Sequence, residues 1–282
     1  MRDAAFFDLD KTIIAKSAVL AFGKPFYREG LLSRRTIMRG MYSQVVFMLV
    51  GADEDRMERL RESMLSLIKG WNQERVAAIV RETLDEIVTP IIFQEALDLF
   101  DEHHRAGRRV VIVSSSPEEV VGPLTEYLGA DDFIATRSEI DANGCYTGEL
   151  EFYAYGPYKA DAIRAYAARE GLDLSRCYGY SDSITDVPML EVVGHPVTVN
   201  ADRELARHAK EHGWDSVSFS RPVRLRDRVP VSRGQGAIAL GALAVAGTGA
   251  AVWWWLRRRD LTGSRGASRR TVGRWRPLRL SG

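Results

Sequence analysis

The chain has 282 residues, of which 39 are Lys or Arg and 38 are Asp or Glu, so its net charge at neutral pH is close to zero. From Arg221 onward the acids are Asp227 and Asp260 alone, which leaves the preceding part acidic on balance and argues against a nucleic-acid-binding domain. Two cysteines, Cys145 and Cys177, exclude a disulfide framework. The N-terminus lacks the pattern of a secretory signal.

The predicted elements begin with an apolar strand at residues 4–7, and a block of helices follows it. Helical spacing of apolar residues recurs over 38–49, 57–68 and 76–87 with no strand between. This pattern predicts an inserted α-helical cap over residues 15–88.

Strand and helix alternate after the cap. The alternation predicts an α/β fold with a doubly wound parallel sheet, formed by residues 1–14 and 89–220. The elements predicted in this part are helix 92–105, strand 109–113, helix 117–128, strand 133–135, helix 159–170, strand 177–180, strand 196–199 and helix 202–212.

The segment 236–256 differs from everything before it, because its 21 residues carry no charge. As a helix it would be about 31 Å long, which matches a bilayer core and predicts a transmembrane helix. A buried Ala/Gly-rich helix is the alternative. A basic linker, 221–235, precedes the segment, and a basic tail expected to be disordered, 257–282, follows it.

These flanks make the orientation ambiguous, because arginines stand on both sides of the apolar segment. The absence of a secretory signal favours a cytoplasmic globular part. We therefore expect a single-pass protein of the cell membrane, with the globular part in the cytoplasm.

Polar residues suited to phosphate chemistry follow several predicted strands. Asp8 and Asp10 follow the first strand, Ser114 and Ser115 follow strand 109–113, and Asp182 and Asp186 follow strand 177–180, while Lys159 opens a helix. In open parallel sheets, ligands bind beyond the carboxyl ends of the strands, so these side chains should meet at one edge.

Carboxylates so close together need a compensating cation, and Mg²⁺ prefers such hard oxygen ligands. Asp8, the main chain of Asp10 and Asp182 can hold Mg²⁺. Ser114 lies near a helix N-terminus that favours anions, and the Lys159 ammonium can stabilise a transferring phosphoryl group.

The segments FFDLDKT, VIVSSSP, GPYK and GYSDSITDVPML resemble, in order and spacing, the four motifs of the haloacid dehalogenase superfamily. Over residues 4–220 the chain looks like the phosphoserine-phosphatase-like branch, subfamily IB, with a helical cap after the first motif. The resemblance implies a Rossmann-like core and a Mg²⁺-dependent phosphatase acting on a small phosphorylated substrate.

The resemblance also implies individual roles. Asp8 would form an aspartyl-phosphate, and Asp10 would act as general acid and base. Ser114, with Ser115 beside it, would bind phosphate, and Lys159 would hold both phosphate and Asp8. The metal site would comprise Asp8, Asp10, Asp182 and Asp186, the last either through water or as an anchor for Lys159.

The substrate is less well defined. Where authentic phosphoserine phosphatases have a glutamate that reads the serine amino group, this chain has Ala15-Lys16-Ser17-Ala18. A phosphoserine-like ester or a lipid headgroup phosphate are both candidates. The alternatives to a phosphatase are a phosphomutase or phosphotransferase using the same aspartyl-phosphate, and a non-catalytic membrane-anchored binding protein.

Overall fold

The computed structural model describes residues 3–33 and 54–221, which form a seven-stranded sheet in the order β4-β3-β2-β1-β5-β6-β7. All neighbouring strands are parallel except β3 and β4, which are antiparallel. The predicted α/β class with a parallel sheet is confirmed. The strands are β1 (Ala4–Asp8), β2 (Arg109–Pro117), β3 (Asp132–Ile140), β4 (Tyr146–Phe152), β5 (Tyr178–Ser181), β6 (His195–Val199) and β7 (Asp215–Val217).

Helices cover the sheet, and four of those described lie within residues 15–88, where the cap was predicted. The helices within residues 3–33 and 54–221 are α1 (Ala18–Ala21), α2 (Gly23–Arg28), α3 (Glu54–Ile68), α4 (Gln73–Val88), α5 (Gln94–Arg105), α6 (Glu118–Leu128), α7 (Pro157–Glu170), α8 (Val187–Glu191) and α9 (Arg203–His212). Short 3₁₀ turns occupy Thr89–Ile91, Leu174–Arg176 and Ile184–Asp186.

Strand β1 is the middle strand of the sheet. Its apolar residues are buried on both faces, as expected for a parallel strand covered by helices. Asp8 pairs in register with Val113 of β2, and Phe7 pairs with Tyr180 of β5. The chain segments that follow these three strands therefore emerge at one edge of the sheet, which we call the catalytic edge.

The antiparallel strand β4 and the edge strand β7 were not predicted. Strand β4 alternates half-buried and exposed residues, and all three residues of β7 are exposed, so neither has the continuous apolar run of a buried strand. Strand β3 extends to Ile140 rather than stopping near residue 135, because its second half pairs with β4. The predicted helix 92–105 begins at Gln94, after the 3₁₀ turn around Pro90.

Two predicted helices lie outside the described residues, namely 38–49 in the cap and the apolar segment 236–256. Both stay predictions, as do the domain boundaries. Across residues 3–33 and 54–221, no helix combines the length and apolar character needed to span a bilayer.

The chain segment that ends the described part, residues 219–221, is bonded to the start of α5, and we call it the strap. The Phe219 ring lies 6.0 Å from that of Phe93. The carbonyl of Arg221 accepts a hydrogen bond from Gln94 N–H at 2.8 Å, and Arg221 Nε donates to a Glu95 oxygen at 3.1 Å. After β7 the chain therefore runs back to the start of α5, where it leaves the predicted cap.

The two crossings between core and cap are also bonded to each other. Ala15 N–H donates to the Ile91 carbonyl at 2.7 Å, and Phe93 N–H donates to the Ile13 carbonyl at 2.9 Å. Since Phe93 also contacts the strap, both crossings and the strap form one connected region.

His103 lies in the last turn of α5, and its side chain is buried beside the central strand. Its Nε2 lies 2.9 Å from Tyr180 Oη, and Arg108 Nη1 lies 3.4 Å from its Nδ1. Because an arginine can only donate, Nδ1 must be the acceptor and Nε2–H the donor to Tyr180. Burial lowers the pKa of His103 to about 4, and the positive charge of Arg108 adds to this effect.

We expect this histidine to make folding pH-dependent. The pKa of His103 in the fold lies below its ordinary value of 6.5, so between these pH values the unfolded chain binds the proton preferentially. The stability contribution is complete above pH 6.5 and is lost as the pH falls towards 4, by up to about 3 kcal/mol. Urea unfolding measured across this pH range should give an unfolding free energy that changes less steeply with pH for His103→Gln than for the wild type. Equal pH dependences of the unfolding free energy for the wild type and His103→Gln would contradict the expectation.

His208 and His212 lie one turn apart on α9. Their rings stack with centroids 4.0 Å apart, and the His208 ring lies 4.9 Å from that of Trp214. His208 is half-buried and His212 is exposed. The pair therefore packs against an indole, which follows from the tight turn at Gly213 that brings Trp214 back onto α9.

Candidate active site

Asp8 and Asp10 stand at the end of the central strand and have different partners. Asp8 is the last residue of β1 and is 6% exposed. Its Oδ1 accepts a hydrogen bond from Lys159 Nζ at 2.7 Å. Asp10 Oδ1 instead accepts one from Ala18 N–H, at the first turn of α1, at 2.8 Å. Two carboxylates one residue apart are thus held separately, which suits one for attack and the other for proton transfer.

Lys159 reaches the catalytic edge from the first turn of α7. Gly156 precedes this helix with a φ of 53°, a conformation that L side chains rarely adopt, and it lets the chain turn sharply into the helix. Lys159 is 2% exposed, and its ammonium bonds to both Asp8 Oδ1 at 2.7 Å and Asp186 Oδ2 at 2.9 Å. A lysine at a helix N-terminus opposes the helix dipole, so these two carboxylates are what stabilise its charge.

Asp182 and Asp186 follow β5 and are buried. Asp186 lies in the 3₁₀ turn that precedes α8, and its Oδ2 accepts hydrogen bonds from Lys159 Nζ and from Ser181 Oγ. Of the two roles considered for Asp186, this geometry favours the anchor for Lys159. Asp182 is 8% exposed, and its carbonyl accepts a hydrogen bond from Asp202 N–H at 2.8 Å, which fixes the loop.

The serines in the second half of β2 differ in environment. Ser114 is 1% exposed, and its Oγ accepts a hydrogen bond from Ser116 N–H at 3.1 Å. Ser115 is exposed, and its carbonyl accepts a hydrogen bond from Thr136 Oγ1 at 2.8 Å. Helix α6 begins directly after β2, at Glu118, and a helix N-terminus favours anions.

Burial dominates the electrostatics of the site. It raises the pKa of Asp8 far above the usual range, although the Lys159 ammonium acts in the opposite direction. Burial also raises the pKa of Asp182 to about 6, despite the lowering effect of Lys11. Burial alone would lower the pKa of Lys159, but Asp8 and Asp186 outweigh it and the pKa is raised.

When its carboxylates are ionised, the site carries an excess of negative charge. Asp8, Asp182 and Asp186 are all buried at the catalytic edge, and the buried Lys159 ammonium bonds to Asp8 and Asp186. A hard divalent cation such as Mg²⁺ fits this set of oxygens and would remove the excess. Within residues 3–33 and 54–221, no three His, Cys, Asp or Glu side chains converge as a metal site by themselves. A main-chain carbonyl, water and substrate oxygens would therefore complete the coordination, as Mg²⁺ commonly requires.

The structure brings Asp8, Lys159 and Asp186 into direct contact, and Ser181, which was not predicted from the sequence, joins them. Its hydroxyl is buried and donates to Asp186 at 2.7 Å. A serine beside a motif aspartate carries no pattern of its own, so the sequence offered no signal for this contact.

Proteins similar in sequence align with most of the length of this chain. The chain is 54% identical over 261 residues to the "Inhibition of morphological differentiation protein" of Streptomyces azureus, covering 92% of this chain and 94% of the relative. It is 52% identical over 259 residues to a protein of Mycobacterium tuberculosis named "Probable phosphatase", covering 91% and 90% respectively. It is 34% identical over 241 residues to the phosphoserine phosphatase SerB1 of the same species, covering 85% and 77%.

A solved structure shares the fold. The crystal structure of a protein of unknown function from Bordetella pertussis matches with a TM-score of 0.68 and 26% identity, covering 77% of this chain and 98% of that one. The family model for haloacid dehalogenase-like hydrolases matches residues 5–191, which span every motif described above. The chain therefore belongs to the haloacid dehalogenase-like hydrolases, as its four motifs suggested, and is a phosphatase of that family.

Proposed function

We propose that this phosphatase hydrolyses small phosphomonoesters in a Mg²⁺-dependent reaction that passes through an aspartyl-phosphate on Asp8. The observation that carries the proposal is the buried ion pairing of Asp8 with Lys159, at 2.7 Å, while Asp10 beside it is bonded elsewhere. A nucleophile next to a fixed ammonium and a separate acid is the arrangement that a two-step phosphoryl transfer needs.

In the first step, an Asp8 carboxylate oxygen attacks phosphorus, the ester P–O bond breaks, and the leaving oxygen takes a proton from Asp10. In the second step, Asp10 removes a proton from water, the water oxygen attacks phosphorus, and inorganic phosphate leaves Asp8. Burial raises the pKa of Asp10, which favours the protonated form that the first step uses. Lys159 supplies positive charge near the transferring group throughout.

Asp8, Asp182 and the carbonyl of Asp10 would hold Mg²⁺, whose charge would neutralise phosphate oxygens. We expect chelation with EDTA to lower phosphatase turnover by at least about 100-fold and added Mg²⁺ to restore it. We also expect Mg²⁺ to raise the melting temperature in the absence of substrate, because it binds the folded state. The Asp182→Asn variant should show a smaller increase, whereas the surface variant Asp161→Asn should match the wild type. Full activity in EDTA would contradict this metal requirement.

The substrate proposal is a small phosphomonoester, either phosphoserine-like or a lipid headgroup phosphate. A phosphate-release screen with the full chain should include phosphoserine, glycerol phosphate, lysophospholipid phosphates and p-nitrophenyl phosphate. Continued release of phosphate without an added acceptor alcohol supports a hydrolase. Transfer to a second hydroxyl with little free phosphate would instead identify a phosphomutase or phosphotransferase.

A further inference from the structure

Ser181 is a buried hydroxyl that the reaction steps above do not use. It ends β5, is 0% exposed, and lies one residue before Asp182. Its Oγ is 2.7 Å from Asp186 Oδ2 and 3.3 Å from Ser183 N. Since the Ser183 N–H can only donate, Ser181 accepts from it and has its own proton directed at Asp186.

The acceptor oxygen is shared. Asp186 Oδ2 receives both the Ser181 hydroxyl at 2.7 Å and the Lys159 ammonium at 2.9 Å. The same ammonium also bonds to Asp8 Oδ1 at 2.7 Å. The two carboxylates thus compete for one ammonium in a buried site, where charge-assisted hydrogen bonds are strong.

The hydroxyl changes this competition. By donating to Asp186 Oδ2, Ser181 satisfies part of that oxygen's negative charge, which weakens its attraction for Lys159. It also fixes the direction of the carboxylate, because the Ser183 N–H fixes the hydroxyl oxygen. Without the hydroxyl, Asp186 would draw the ammonium away from Asp8 and from the group that Asp8 attacks.

We propose that Ser181 is a positioning residue for catalysis, which holds Lys159 on Asp8 by way of Asp186. This role rests on the proposed phosphatase reaction at Asp8. It differs from a purely structural role, in which the hydroxyl would serve only to satisfy the Ser183 N–H at the end of the strand.

The kinetic test compares Ser181→Ala with the wild type on p-nitrophenyl phosphate with saturating Mg²⁺. We expect kcat to fall about tenfold while KM stays within about twofold, because the ammonium acts more on the transition state than on bound substrate. The control is Ser216→Ala, which removes an exposed hydroxyl on the edge strand β7 and should leave both constants unchanged. Should Ser181→Ala fold poorly, Ser181→Cys keeps a side chain of similar size with a weak donor and should show the same loss.

A double-mutant cycle separates positioning from structure. If Ser181 acts through Asp186, adding Ser181→Ala to Asp186→Asn should change kcat by less than about twofold. The same tenfold loss in both backgrounds would overturn the proposal, and so would a Ser181→Ala variant with wild-type kcat.

Crystal structures provide a readout without turnover. The distance between Lys159 Nζ and Asp8 Oδ1 should be longer in Ser181→Ala than in the wild type, and an unchanged distance would overturn the proposal. A wild-type protein that releases no phosphate from any ester would refute the proposed function, while the comparison of crystal structures would still decide the role of Ser181.

Discussion

Asp8→Asn is expected to abolish phosphatase turnover, with kcat reduced by at least about 1,000-fold, because the amide lacks a nucleophilic oxygen. The same change should stabilise the metal-free fold. In the wild type, Lys159 is shared by the buried carboxylates of Asp8 and Asp186, and Asp8→Asn leaves one ammonium with one carboxylate. Thermal unfolding in EDTA should therefore show a higher melting temperature for the variant, together with the loss of phosphate release.

The matched control is Asp161→Asn, which removes a carboxylate that is 69% exposed and pairs only with Arg164 on the same helix. Exposed pairs of this kind contribute about 0–1 kcal/mol, so both activity and melting temperature should stay near wild type. An Asp8→Asn protein that still turns over like the wild type would refute the aspartyl-phosphate mechanism. A lower melting temperature of Asp8→Asn in EDTA would refute only the expectation that removing one of the two carboxylates around Lys159 stabilises the metal-free fold.

Lys159→Met should lower both activity and stability. It removes the cation that stabilises the transferring phosphoryl group, and we expect kcat to fall by about 100- to 1,000-fold. It also leaves Asp8 and Asp186 buried without the ammonium, and removing one partner of a buried ion pair typically costs about 3–5 kcal/mol. Urea unfolding in EDTA should show this loss, opposite in sign to the effect of Asp8→Asn.

Lys210→Met provides the control, because this lysine is exposed in the last turn of α9. Its unfolding curve and kcat should match the wild type. Mg²⁺ should recover part of the stability that Lys159→Met loses, since a bound cation replaces some of the missing positive charge. If Lys159→Met unfolded at the same urea concentration as the wild type, the ammonium would not be compensating the two carboxylates.

The position of the catalytic edge could be predicted from the sequence because it depends on backbone topology. Asp8 ends β1, Ser114 lies in the second half of β2 and Asp182 directly follows β5. The carboxyl ends of these neighbouring parallel strands share one edge. The partners of individual side chains could not be predicted, since they depend on rotamers and on packing between distant segments. The hydrogen bond from Ser181 to Asp186 and the burial of His103 are of this kind.

Strand β4 shows a different reason for failure. Tyr146, Leu150 and Phe152 share one face of β4, which is the period-2 pattern of a half-buried strand, but β4 lacks the continuous apolar run from which β1 and β2 were predicted. The pairing with β4 also explains why β3 is longer than its apolar run, because the added residues pair with β4 and those of them that are buried, Thr136 and Ser138, are polar.

The strap has a mechanical consequence for whatever is attached beyond Arg221. Because its main chain and guanidinium bond to Gln94 and Glu95, tension applied through residue 222 acts on the opening turn of α5 as well as on β7, to which the main chain joins the strap. That turn directly follows Phe93, which is bonded to Ile13 at the other crossing between core and predicted cap. A load, a fusion partner or a surface that restrains the chain there therefore acts on both crossings as well as on the sheet.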